Sequence, residues 1–197
     1  KGNIALAKET LKKFRDQINS YELYTIKYLQ ILFYLKEWEE FNELSNSFLK
    51  KDLKNNNSYN DILKMTSNNL LFDKDYQKMN LYSQSLLKIF QNKRTEAINI
   101  LESIQNQQDS ELSNKIRYEL SILNLYQGDV IKSINIIDTI NMSSAYIESA
   151  SLLKAEIYDY IIGNKSKAVD TYLYILDNFP NSIYYESIRL RLRELTS

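Results

Sequence analysis

Apolar residues recur along this chain at intervals of three and four, and almost nowhere at intervals of two. In RYELSILNLYQ, Tyr118, Ile122, Leu125 and Tyr126 fall on one stripe of a helix, and AINILESI, IKSINIIDTI and AVDTYLYIL carry the same period. No stretch alternates cleanly for long enough to make a strand. The pattern predicts an all-α chain. Helix breakers are scarce, with three glycines and one proline in 197 residues, so each marks a place where a helix has to stop.

The glycines share one position in a repeated pattern. Gly2 lies five residues before Ala7, Gly128 five before Ser133 and Gly163 five before Ala168, each time between two helical stripes. A left-handed residue is needed where one helix ends and an antiparallel one begins, and glycine adopts positive φ without a Cβ penalty. Asn92 before Ala97 and Lys36 before Phe41 occupy the same slot. Taking the residue five after each turn as an anchor gives Ala7, Phe41, Ala97, Ser133 and Ala168. Their spacings are 34, 56, 36 and 35, and 56 is one interval of 34 with 22 residues inserted. Small residues suit the anchors because the two helices of a hairpin cross closely there. Four residues on stand Leu11, Ser45, Leu101, Ile137 and Tyr172, mostly large and apolar, as the core side of a second helix requires.

A period near 34, a small anchor, a large apolar residue four later and Pro180 twelve after Ala168 together resemble the tetratricopeptide repeat family. The likeness is strongest over residues 143–182 and good over 109–142. It weakens over 76–108, and over 20–50 it rests on spacing and on KEWEEF, where Trp38 takes an early aromatic place in the second helix. Phe41 departs from the small anchor. The resemblance implies a right-handed α-solenoid of antiparallel helix hairpins. Residues 1–50 would form degenerate N-terminal helices, 51–75 an Asn-rich insertion, 76–181 three repeats and 182–197 a C-terminal capping helix. Gly2, in the inner turn of a hairpin, makes the chain open on a second helix whose mate would lie upstream. That exposed face would be covered by preceding sequence or by self-association with another copy.

The insertion, KDLKNNNSYNDILKMTSNNLLFDKD, has three consecutive asparagines, which compete for their own backbone and favour a loop. An irregular connection is expected, with a helix around Ile62 and Met65 packed on the array as the alternative. After Pro180, Asn181 or Ser182 is placed to cap a final helix with Glu186 in its first turns. Arg189, Arg191 and Arg193 come next, toward its negative end. The alternative for these arginines is an anion or acidic-partner site. The ending FPNSIYYESIRLRLREL looks like the last repeat of bacterial cell-envelope tetratricopeptide proteins, which implies the envelope or periplasm, with the cytoplasm as alternative.

Composition then narrows the chemistry. Lysines and arginines number 25 and aspartates and glutamates 25, so no net charge draws the chain to nucleic acid or an anionic membrane. There is no histidine and no cysteine, which removes imidazole bases, thiolate nucleophiles and the usual zinc sites. No GxGxxG or GKS/GKT loop occurs for phosphate. DKDYQK at 73–78 begins like a calcium loop, but Lys78 stands where glycine is required. With 21 asparagines in the chain, NNS, NMS and NKS are expected by chance alone. Glu37, Glu39, Glu40 and Glu43 read as a solvated helix face rather than a catalytic pair. No enzyme, metal or cofactor is expected.

In the tetratricopeptide family the first helix of each hairpin lines a concave groove, and its inward positions fall fifteen, eleven and seven residues before the anchor. Carried onto this chain, those offsets give Ile26, Gln30 and Tyr34; Tyr82, Leu86 and Phe90; Tyr118, Ile122 and Tyr126; and Leu153, Ile157 and Ile161. The resemblance therefore implies a nearly uncharged groove for a protein or peptide partner, centred on Tyr34, Tyr82, Phe90, Tyr118, Ile122 and Tyr126. Packing of the same rings between repeats, in a structural subunit without a groove ligand, is the competing expectation.

Overall fold

A computed structural model describes residues 3–18, 21–50, 57–72, 75–105 and 110–196, and among these every regular element is helical. The chain divides into two compact units, Lys1–Ile104 and Gln105–Ser197. The first holds α1 (Ile4–Lys13), α2 (Tyr21–Leu35), α3 (Trp38–Leu49), α4 (Asn57–Leu71), α5 (Tyr76–Phe90) and α6 (Arg94–Ile104). The second holds α7 (Glu111–Tyr126), α8 (Val130–Ile137), α9 (Ile147–Glu156), a π-helical continuation over Ile157–Ile162, α10 (Lys165–Asn178) and α11 (Tyr185–Thr196).

Links of two or three residues join α2 to α3, α5 to α6, α7 to α8 and the π segment to α10, and each joined pair packs together. Helices so closely connected can pack only antiparallel. Each link carries a left-handed residue: Lys36 at φ 63°, Asn92 at 61°, Gly128 at 88° and Gly163 at 71°. The reason is carbonyl satisfaction at the helix ends. At the first three turns, Lys36, Asn92 and Gly128 donate to the carbonyls of Phe33, Ile89 and Leu125. The next residues, Glu37, Lys93 and Asp129, reach back to Leu32, Lys88 and Asn124 at 2.8–3.0 Å. This pair of bonds is the Schellman motif, and it needs positive φ at the residue that closes it. At the fourth turn the π segment adds one residue, and the Asn164 amide reaches back to the Tyr158 carbonyl at 2.8 Å. Gly2 lies outside the described residues.

Beyond each turn the anchor is sealed. Phe41, Ala97, Ser133 and Ala168 are all fully buried. Four residues on, Ser45, Leu101, Ile137 and Tyr172 are buried as well. The large anchor Phe41 is accommodated by an edge-to-face cluster with Phe33 at 5.8 Å and Trp38 at 6.2 Å. Trp38 also donates through its indole nitrogen to Asn80 Oδ1 at 2.9 Å, and the buried Ser83 hydroxyl donates to the Phe33 carbonyl at 2.6 Å, so α5 is tied to the first hairpin.

The expected irregular connection is corrected in part, since residues 57–71 form α4, which packs on α2 and α3. Ile62 is fully buried there and Asn68 nearly so, and the apolar area removed from water outweighs the poor helix propensity of asparagine.

In the second unit α9 and α10 enclose Ala155, Ala168, Tyr172 and Ile175, and α11 closes this cluster with Ile188 and Leu192. The entry to α11 is shaped by Ser182, whose hydroxyl accepts from the Tyr184 amide at 3.0 Å. Arg191 is committed to α11's docking: its guanidinium holds Asp159 of the π segment with two bonds, at 2.7 and 2.8 Å, and it also reaches Glu194. Asp159 has a side chain only 3% exposed and also accepts from the Tyr172 hydroxyl at 3.2 Å. The Arg191 hydrogen bonds hold the Asp159 carboxyl below the usual carboxylate range, outweighing the opposing effect of burial.

Both the turns and the Arg191 clamp are open to direct measurement. Lys36→Gly stabilises the chain by about 0.5–1 kcal/mol by relieving left-handed strain, whereas Gly163→Ala costs about 1–2 kcal/mol. An added Cβ at Gly163 meets nothing within 4 Å, so that loss is backbone strain alone, and urea titrations of the two variants read it directly. The Asp159 pair contributes stability above the ordinary aspartate value of 3.8 and loses it as pH falls through the depressed folded value. Asp159→Asn is therefore less stable than wild type by about 1–3 kcal/mol at pH 7, and the gap closes when both are melted in strong acid.

Candidate functional site

In the first unit, α1 presents Ile4, Leu6, Ala7, Leu11 and Phe14 along one wall of a groove, and α2 presents Ile31 and Tyr34 along the other. Phe90, at the end of α5, closes one side, its ring 6.1 Å from that of Tyr34. The space enclosed is about 960 Å³. Asn3, Thr10, Lys27 and Gln30 complete the described lining, so none of the described lining residues is acidic. Several of these apolar side chains remain in water, with Leu6 57%, Phe14 41% and Phe90 69% exposed. Burial pushes the Tyr34 hydroxyl up from its ordinary value, which keeps it a neutral hydrogen-bonding group.

The opposite side of α1 is polar and matched. Lys8 binds Glu37 and lies 2.9 Å from Glu40 Oε2, and the Tyr28 hydroxyl donates to Glu40 Oε1 at 2.6 Å. Burial alone would raise the Glu40 carboxyl, but hydrogen bonds from Tyr28 and Lys8 outweigh it and hold it below the ordinary range. The expected solvated acidic face is thus corrected in part. Glu39 and Glu43 are exposed, whereas Glu37 and Glu40 anchor α1 because helix pairing brings Lys8 over them. Beside this network the Tyr24 and Tyr28 rings stack at 5.6 Å and 15°, with Arg15 above the Tyr24 face at 5.5 Å and Lys12 above the Tyr28 face at 5.4 Å. These groups border a second cavity of about 620 Å³.

In the second unit, Tyr118, Ile122 and Tyr126 share one face of α7. Tyr118 is half-buried on the cluster formed by Ile134, Ile137 and Ile147, and its ring lies 6.1 Å from that of Tyr146. Burial raises its hydroxyl, against a hydrogen bond with Ser149 that acts the other way. Ile122 is partly exposed and Tyr126 is 68% exposed. Burial likewise raises Glu156, and the nearby negative charge of Asp159 adds to it.

The six groove residues expected from the repeat register therefore divide. Tyr34 and Phe90 meet in one groove, and Tyr118, Ile122 and Tyr126 lie on one helix face. Tyr82 does not belong with either group. It is only 2% exposed and packs against Phe72, with ring centroids at 5.2 Å, so it is core. Its cover comes from the inserted segment, which a plain 34-residue period does not anticipate. Ile26 and Ile157 are buried too, at 9% and 0%. The wall supplied by α1 was not among the expected groove residues, although the apolar spacing of Ile4, Ala7, Leu11 and Phe14 signals it. Nothing in the sequence marks Tyr146, which arrives from a turn.

No family model, curated protein or solved structure matches this chain. Among the described residues, no helix is long and apolar enough to cross a membrane.

The two classes of aromatic side chain respond differently to truncation. Tyr82→Ala costs about 3–5 kcal/mol of stability through cavity formation, whereas Phe90→Ala and Tyr126→Ala each stay within about 0.5–1 kcal/mol of wild type. Thermal and urea melts of the three single variants separate core from surface.

Proposed function

We propose that this chain is a non-enzymatic interaction scaffold, an α-solenoid of tetratricopeptide-like hairpins that holds a peptide or helix of another protein. The observation that carries this reading is the groove between α1 and α2. It is lined by apolar and aromatic side chains, left open to water at Leu6, Phe14 and Phe90, and bordered by few charges. Exposed aromatic and aliphatic anchors in a preformed concavity are what a partner helix or extended peptide buries. The repeated Schellman turns and the near-34 spacing of the sealed anchors support the solenoid. Burial raises the hydroxyls of Tyr34 in the groove and of Tyr28 on the other side of α1, and Glu37 and Glu40 are bound by Lys8 and Tyr28.

A second reading, a structural subunit that uses other surfaces, has support in the second unit, where Ile183 is 87% and Leu190 58% exposed.

Affinity capture from native lysate separates the two. The wild-type chain is used as bait beside Leu6→Glu/Phe90→Glu and Ile183→Glu/Leu190→Glu variants of matched melting temperature. The scaffold reading expects a protein held by wild type and by the second variant and lost from the first. Loss only with the Ile183 and Leu190 changes favours the structural subunit, and equal capture by all three removes the groove from the function.

A further inference from the structure

The charge that lines the groove of the first unit is positive, and this selects among occupants. Glu37 and Glu40, bound by Lys8 and Tyr28, stand outside the groove lining. On the groove side, Lys27 is the one charged residue among the described lining residues, and its ammonium meets the neutral Gln30 amide at 3.4 Å. A second cation stands at the edge, since the Lys13 ammonium lies 5.6 Å over the ring of Phe14, which lines the groove. An apolar trough is thus flanked by positive charge, with no acid among its described lining residues.

Resting on the scaffold reading above, we propose that the occupant is an amphipathic helix of another protein whose apolar stripe is flanked by glutamates or aspartates. The shape argues for a helix. The wall from Asn3 to Phe14 runs along three turns of α1, about 15 Å. A third helix laid along two others buries a stripe at i, i+3, i+4 and i+7 by the same ridge-and-groove packing that holds hairpins together. Charge argues for an acidic flank: a carboxylate beside Lys27 gains a partner at a rim being desolvated, whereas a lysine there meets its like. It also argues against a second copy of this chain. In an isologous dimer the same patch faces itself, so Lys27 would find no carboxylate among the described lining residues of the other copy.

The test uses the full chain and a fluorescent, end-capped probe peptide of about 16 residues. The probe carries leucines at the stripe positions and glutamates beside them, and its twin has lysines in place of the glutamates. Fluorescence anisotropy is expected to show saturable binding of the glutamate peptide, weakened about tenfold in the lysine twin. Lys27→Glu reverses that order. Leu6→Glu and Phe90→Glu, both at exposed positions and checked for helicity and melting temperature, abolish binding. Equal binding of the two peptides, or an order unmoved by Lys27→Glu, overturns the acidic flank. Failure of both to bind, with a concentration-dependent dimer in sedimentation that Leu6→Glu dissolves, overturns the proposal in favour of self-association. If capture still yields a partner that depends on Leu6 and Phe90 while the peptides bind equally, the charge assignment fails alone. If that capture and peptide binding are both absent, the groove reading fails with it.

Discussion

Everything in this fold depends on ending a helix and starting its neighbour within two or three residues. That reversal leaves carbonyls without partners, and the backbone answers by turning one residue left-handed so that two amides reach back. Only glycine takes that conformation freely, with asparagine next, and the chain places Gly128, Gly163 and Asn92 there. Lys36 is the exception. Its strain, about 1 kcal/mol, is held by the edge-to-face contacts of Phe33, Trp38 and Phe41 on either side of the turn, which fix α2 on α3. A tight turn also forces the two helices close together just beyond it. For this reason the anchors five residues on are buried alanine or serine in three hairpins, and an aromatic only where a ring cluster makes room.

Because the constraint acts on residue type at a fixed offset, it was legible in the sequence. The positions of Asn92, Gly128 and Gly163 were enough to set the hairpin register from α5 through α10. Other features leave no such trace. The asparagine run before α4 argues for a loop by propensity, and it is the burial of Ile62 against α2 and α3 that makes the succeeding residues helical, a tertiary effect invisible to local preference. The π segment differs from α-helix by one extra residue in a turn and has no compositional mark, yet it sets Asp159 where Arg191 reaches it. The candidate site was legible to the same degree. The register gives all three of Tyr34, Phe90 and Tyr82, and it fails for Tyr82 because the ring that covers it, Phe72, belongs to the insertion.

The zero net charge conceals a local sorting that matters more than the sum. Tyr28, Lys8, Glu37 and Glu40 form a matched network on one side of α1, and the apolar trough with Lys27 lies on the other. α1 is therefore both a pinned helix and a wall. None of its residues is fully buried, so its attachment rests on half-buried Ile4, Ala7 and Leu11 and on ion pairs whose carboxylates are about two-fifths exposed. Pairs of that kind contribute about 0–1 kcal/mol each.

This weakness bears directly on how the groove would work. A wall with few buried contacts belongs to the low-stability end of a fold, where local opening is least costly. An occupant that buries Leu6, Leu11 and Phe14 together with Ile31, Tyr34 and Phe90 adds to α1 the apolar contact it lacks. Binding free energy would then be shared between holding the partner and holding the helix. The same coupling runs the other way. Removing the Lys8 pairing leaves every groove residue in place, yet it loosens one wall, and affinity falls without any lost contact to the partner. The side of α1 that never touches the occupant thus helps set how well the groove is formed.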